Sequence, residues 1–154
     1  MDPVKTTIND LKTIPGRLMG VDFGDTRTGI ALSDTSRFLA SGIGYISPGG
    51  IEKTADAVAS LATEKRVVGV IVGLPKNMDG TEGFRAQRCR DFAALLSARL
   101  ENIPVVMIDE RMTTMSASRY LNETNTRGAK RKQVIDTLSA QIILQNALDR
   151  LKNL

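Results

Sequence analysis

The sequence contains no histidine and only one cysteine. Without histidine, Ser-His-Asp and Cys-His nucleophile systems cannot be built, nor can zinc sites that use imidazole. The lone Cys89 can form neither an intrachain disulfide nor an all-cysteine metal centre, and it fits a reducing cytoplasm. Proton transfer must fall to Asp, Glu, Lys, Tyr or water. Any metal held by carboxylates would be a hard cation such as Mg²⁺ or Mn²⁺. Long apolar runs are also missing: none approaches the roughly 20 residues of a membrane helix. The stretch Met1–Arg17 has no apolar signal core. Together these absences lead us to expect a cytoplasmic protein with no membrane partner.

What remains is an ordinary globular composition, 42% hydrophobic and 25% charged, which excludes a disordered chain. A length of 154 residues suits one domain. Residues 1–16 read as a polar N-terminal extension, with a short turn of helix over Thr7–Thr13, and 17–154 as a single domain. The net charge of +4 is too small to argue for nucleic acid by itself.

Strands are expected at Leu18–Gly24, Thr28–Ser33 and Ala40–Ile46, the first two joined as a hairpin by Asp25–Arg27. Helical spacing follows in Ile51–Lys65, through Ile51, Ala55, Val58, Ala59 and Ala62. The unbroken run Val67–Leu74 suits a strand buried on both faces of a parallel sheet. After the polar loop Pro75–Gly83 comes a helix over Phe84–Leu100, with Phe84, Phe92, Leu96 and Leu100 as its inner stripe. Ile103–Ile108 is the last strand and Thr114–Leu121 a short helix. Asn122–Lys132 is polar and basic and reads as a mobile connection. The closing helix begins near Arg131, with Val134, Leu138, Ile142, Gln145 and Leu148 along one face. The order defines a mixed α/β domain.

Three places carry carboxylates of interest. Asp22 lies in an apolar strand, where an ionised carboxylate is costly unless paired or bound to a metal; the alternative is an Asp that caps the next turn. Asp109 and Glu110 follow the last strand, and alternation sends them to different faces, so only one can share a site with Asp22. A solvated strand end with Arg111 as counter-ion is the plainer reading of that pair. Asp136 opens the closing helix and falls off the stripe of Val134, Leu138 and Ile142, so it is not expected to face the core which that stripe buries. Arg127, Lys130, Arg131 and Lys132 crowd the same helix start, where cations are mildly unfavourable unless screened or paired with phosphate. The loop Gly73–Gly83 follows a parallel-type strand, where ligands bind, yet it has neither P-loop nor dinucleotide spacing. Its plainer reading is a surface loop with a turn at Asp79-Gly80.

Four stretches, in order, resemble the YqgF/RuvX family: Gly20–Gly24 with Arg27-Thr28-Gly29; Val72–Glu82, reading Val-Gly-Leu-Pro-Lys-Asn-Met-Asp-Gly-Thr-Glu; Asp109–Thr114, reading Asp-Glu-Arg-Met-Thr-Thr; and Lys132–Asp136 leading into Ile142–Gln145. The second and third are the specific ones. Members are described as Holliday junction resolvases and as nucleases that mature the 5′ end of pre-16S rRNA. The resemblance implies an RNase H-like fold: an antiparallel three-strand meander, extended by two parallel strands past the first and flanked by helices. It further implies a metal site of Asp22, Glu110 and Asp136, with Glu110 preferred to Asp109, that holds two Mg²⁺ or Mn²⁺ ions about 4 Å apart. Ser139 stands where relatives carry a small apolar residue, and the extension through Pro15 has no counterpart in the family.

On this reading the chain is a phosphodiesterase acting on RNA, the precursor of the small-subunit rRNA foremost, as a monomer or weak homodimer. Arg27, Lys76, Asn77, Arg111, Lys130, Arg131 and Lys132 are the candidates for substrate contact. One rival is cleavage of branched DNA, for which a symmetric resolvase presents two sites and should dimerise. Another is a non-catalytic RNA-binding ribosome assembly factor, whose binding would survive loss of Asp22. A nucleotide-using enzyme of the actin and sugar-kinase type begins with a similar strand, but closes two such domains around its ligand.

Overall fold

The computed structural model describes residues 7–109 and 128–154, with side chains described for 7–109 and 137–154. Its five strands are β1 (Leu18–Asp22), β2 (Thr28–Ser33), β3 (Ala40–Ile46), β4 (Gly69–Leu74) and β5 (Val105–Asp109). They form one sheet in the order β3-β2-β1-β4-β5. β1, β2 and β3 make an antiparallel meander, while β4 and β5 run parallel to β1. The meander and the two parallel strands stand where the sequence places them, with the bounds of β2 and β3 unchanged.

Two layers of helix cover the sheet. Helices α1 (Ile51–Glu64) and α2 (Phe84–Arg99) lie on one face. Their core includes Val58, Ala62, Phe92 and Leu96, packed on Met19, Val21, Val70 and Val72. The long helix α3 (Gly128–Lys152) crosses the other face, where Ala140, Ile143, Leu144, Ala147 and Leu148 meet Leu18, Ala31, Ile71 and Val106. Every residue of β4 is buried, as expected of a strand covered on both sides.

Close approach of α3 to the sheet depends on glycine. A Cβ at Gly20 would lie 2.7 Å from Leu144 Cβ and 2.9 Å from the Ala140 carbonyl. One at Gly42 would lie 2.4 Å from Thr137 Cγ2. Contacts this short do not occur between real side chains, so the two glycines let the helix backbone sit down on β1 and β3. Gln141 Oε1 then accepts from the Gly42 N–H at 3.2 Å, and Gln145 Oε1 from the Ala40 N–H at 2.9 Å. The flank of α3 thereby satisfies backbone donors of the edge strand.

Four readings require correction. The helix α3 starts at Gly128, so Lys130, Arg131 and Lys132 lie in its first turns rather than in a loop, and Asp136 lies in its third turn rather than at its opening. Its buried stripe is not the one expected: Leu138, Ile142 and Gln145 are half-buried, and the deep positions are Ser139, Ala140, Ile143, Leu144, Ala147, Leu148 and Leu151. Finally, Phe84 is 76% exposed instead of lining the core.

The N-terminal segment carries apolar side chains into the α3 layer. Ile8–Leu11 forms a single 3-10 turn, with Leu11 fully buried against Gly69 and Leu18. Arg37, held at φ 63°, donates from Nε to the Gly16 carbonyl at 2.7 Å and from Nη1 to that of Leu11 at 2.7 Å. A third donation reaches the Ile14 carbonyl.

Candidate active site

Asp22 is the last residue of β1 and pairs with Gly29 across the hairpin. Alternation along the strand sends Met19 and Val21 toward α1 and α2, and sends Leu18, Gly20 and Asp22 toward α3. The half-buried carboxylate thus lies on the face crossed by α3, at the carboxyl end of the central strand. The next residue, Phe23, returns to the opposite face and stacks on Phe92, with ring centroids 4.6 Å apart and planes 15° apart. That stack pins the strand end which presents Asp22.

The same alternation turns the carboxylate of the last strand the other way. Val106 and Ile108 face α3, whereas Asp109 is paired with Leu74 and shares the phase of Val105 on the opposite face. Asp22 and Asp109 therefore face opposite sides of the sheet. Glu110 and Arg111 lie outside the described residues, as do Arg127 and the expected helix at Thr114–Leu121. The side chains of Lys130, Arg131, Lys132 and Asp136 are likewise not described. Among the described residues no three His, Cys, Asp or Glu side chains gather as a metal site.

The loop between β4 and α2 is self-braced. Asp79 Oδ1 accepts from the Thr81 N–H at 2.9 Å and from Thr81 Oγ1 at 2.6 Å. The Asn77 and Thr81 backbones are bonded at 2.8 Å, and Asn77 Nδ2 donates to Thr81 Oγ1 at 2.9 Å. Asn77 is thus engaged in shaping the loop, and the Asp79-Gly80 turn forms as expected, with Gly80 at φ 89°. Glu82 accepts both Arg90 Nε (2.6 Å) and Nη2 (2.8 Å). That guanidinium, by hydrogen bond and then by charge, holds the Glu82 carboxyl below the usual glutamate value, with a smaller charge contribution from Lys76. Lys76 itself is half-buried beside Pro75, at the carboxyl end of β4.

Two further cations surround the strand end. Arg27 lies over the Tyr45 ring at 5.7 Å. Arg88 donates to Asp25 Oδ1 at 2.7 Å from Nη2 and 3.1 Å from Nε, tying α2 to the β1–β2 turn. Neither Arg88 nor Arg90 stood out in the sequence, because their acidic partners are 63 and 8 residues away and outside the i, i+4 spacing that marks helix pairs.

This architecture is shared with solved structures. It aligns with T. thermophilus RuvC in complex with Holliday junction substrate at a TM-score of 0.56, over 89% of this chain and 96% of that one, at 11% identity. The fowlpox virus Holliday junction resolvase aligns at a TM-score of 0.53 over 90% and 99%, at 13% identity. Sheet order and helix layers define an RNase H-like domain. Within that class the chain belongs to the RuvX family, whose model, described as a Holliday junction resolvase, matches residues 16–150. It is 44% identical over 138 residues to a protein of Phenylobacterium zucineum, covering 89% of this chain and 88% of that one. It is 43% identical over 134 residues to one of Pelotomaculum thermopropionicum, covering 86% of each. Both relatives carry the name "Putative pre-16S rRNA nuclease". Among the described residues no helix is long and apolar enough to cross a membrane.

Proposed function

We propose that this chain is a cytoplasmic, divalent-metal-dependent ribonuclease that trims the 5′ end of precursor 16S rRNA, with Asp22, Glu110 and Asp136 as its metal ligands. The observation that carries the reading is the direction of Asp22, out of an apolar strand end and toward the face of α3. Position 136 shares the helical phase of Ala140 and Leu144, the residues seated on Gly20, one alternation before Asp22. Strand alternation would put a residue after Asp109 back on the α3 side, which favours Glu110 over Asp109.

The donor chemistry fits a hard cation. The candidates are carboxylates, the chain has no imidazole, and its one thiol is buried at Cys89. When bound, such ions lower the pKa of a water nucleophile and stabilise the leaving oxygen. The chain's own part is to hold the carboxylates rigid and to grip the RNA backbone. Gly20 lets α3 lie close, and the Phe23–Phe92 stack fixes the strand end. Arg27, Lys76, Asn77, Arg111, Lys130, Arg131 and Lys132 are the proposed substrate contacts, and the protein would act as a monomer or weak homodimer.

The test is cleavage of labelled precursor 16S rRNA beside a four-way DNA junction, in Mg²⁺ and in Mn²⁺, by wild type and Asp22→Asn. Metal-dependent cutting of the RNA by wild type alone is the expected result. The family description and the resolvase folds favour one second reading, junction cleavage, which would appear as cutting of the DNA only. Equal RNA binding by both proteins, with no cutting, would overturn the metal mechanism in favour of a binding factor.

A further inference from the structure

Phe84, the first residue of α2, lies on the solvent side of the helix, about 140° around from the centre of the face formed by Ala86, Cys89, Phe92, Ala93 and Leu96. It precedes Phe92 by eight residues, and Phe92 is fully buried on Phe23. Eight residues of helix advance about 12 Å along its axis, which places Phe84 at the carboxyl-end rim of the sheet on the α1–α2 side, whereas Asp22 faces α3. There the Phe84 ring is 76% exposed. Met78 in the adjoining loop is 68% exposed, and Gly83, just before Phe84, lies against Asn77 of that loop. The arginines nearby differ in availability. Arg88 and Arg90 are committed to Asp25 and Glu82, while Arg85 is exposed, next to Phe84, and makes no ion pair among the described residues.

A large exposed aromatic ring beside an exposed guanidinium and half-buried Lys76 is matched to one kind of occupant. An unpaired nucleotide offers an apolar face to the ring and a phosphate to the cations. A duplex keeps its bases stacked on one another and offers no such face. Resting on the nuclease reading above, we propose that Phe84 is a stacking platform for an unpaired base of the substrate, at the carboxyl-end rim of the sheet. It selects single-stranded RNA.

The absence of tryptophan from the chain makes this directly measurable. Phe84→Trp introduces the only indole. Phe38→Trp is the control, because Phe38 is exposed in the β2–β3 turn at the opposite end of the sheet. Fluorescence is titrated without divalent metal, so no cutting intervenes, using a single-stranded oligoribonucleotide and the same sequence as a duplex. Quenching of Phe84→Trp by the single strand only, with Phe38→Trp silent, is expected. Phe84→Ala should bind the single strand about 5- to 100-fold more weakly. Its salt dependence should be unchanged, because no phosphate contact is lost. Phe84→Tyr should bind as wild type does. Equal quenching by duplex, or wild-type binding by Phe84→Ala, would overturn the proposal while leaving cleavage and its loss in Asp22→Asn intact. If Phe84→Trp is quenched but the wild type cuts no RNA, the platform stands and the nuclease reading falls.

Discussion

A carboxylate flanked by Val21 and Phe23 is costly to leave without purpose, and that cost is why Asp22 is legible in the sequence. The alternation that separates Asp109 from Asp22 is equally legible, since it needs only the period of a strand. Phe84 is not. A stripe drawn through Phe84, Phe92, Leu96 and Leu100 follows the large side chains, but eight residues leave Phe84 about 80° out of phase with Phe92, and the helix buries the smaller Ala86, Cys89 and Ala93 instead. The Glu82–Arg90 pair supports one prediction at this scale. Its folded-state pKa lies below the ordinary value, so the pair's contribution is present at neutral pH and fades as pH falls through that depressed value. NMR titration should find Glu82 ionising below an ordinary glutamate, and Arg90→Gln should return it toward that value. An unchanged titration in Arg90→Gln would mean that the pair does not form in solution.

At the scale of elements, strong turns and uninterrupted apolar runs made the five strands readable, while the phase of α3 was not. Val134, Leu138 and Ile142 draw a seam of large side chains, but the helix seats itself on Ser139, Ala140 and Ala147. Those small residues carry little hydrophobic weight and signal closeness only when a glycine lies opposite, as Gly20 does to Ala140. Gly20→Ala should therefore push α3 off β1, at a cost of about 1–3 kcal/mol typical of overpacking, and lower cleavage more than it lowers RNA binding. Thermal melts and paired rate and affinity measurements would check this; unchanged stability would mean that α3 does not sit this close. The N-terminal turn was expected, but its burial was hidden for another reason. Ile8 and Leu11 stand in a mostly polar stretch with no longer periodic run, yet both are buried, and Arg37 holds the carbonyls of Leu11, Ile14 and Gly16. Deleting residues 1–16 should cost about 2–5 kcal/mol, in the range of emptying a core leucine site, although no candidate catalytic residue is removed.

At the scale of the whole molecule, the two ends of the sheet divide their work. At the amino end of β1 lie the 3-10 turn, Arg37 and the β2–β3 turn, all joined by internal hydrogen bonds. At the carboxyl end lie Asp22, the Arg27 turn, the Lys76 loop and Phe84, the position at which open α/β sheets take ligands. The net charge of +4 is modest, so affinity for RNA must come from where the cations stand rather than from their number. That polarity can be tested by salt. Each phosphate neutralised on a single strand contributes about 0.7 to the slope of log K against log salt. Lys76→Gln, at the carboxyl end of β4, should weaken binding to all single-stranded sequences alike and reduce the slope by about 0.7. Arg66→Gln removes an equal charge from the exposed turn before β4, at the opposite end, and should leave both affinity and slope unchanged. Equal effects of the two substitutions would mean that RNA is held by diffuse charge, and the carboxyl end of the sheet would lose its claim to be the binding edge.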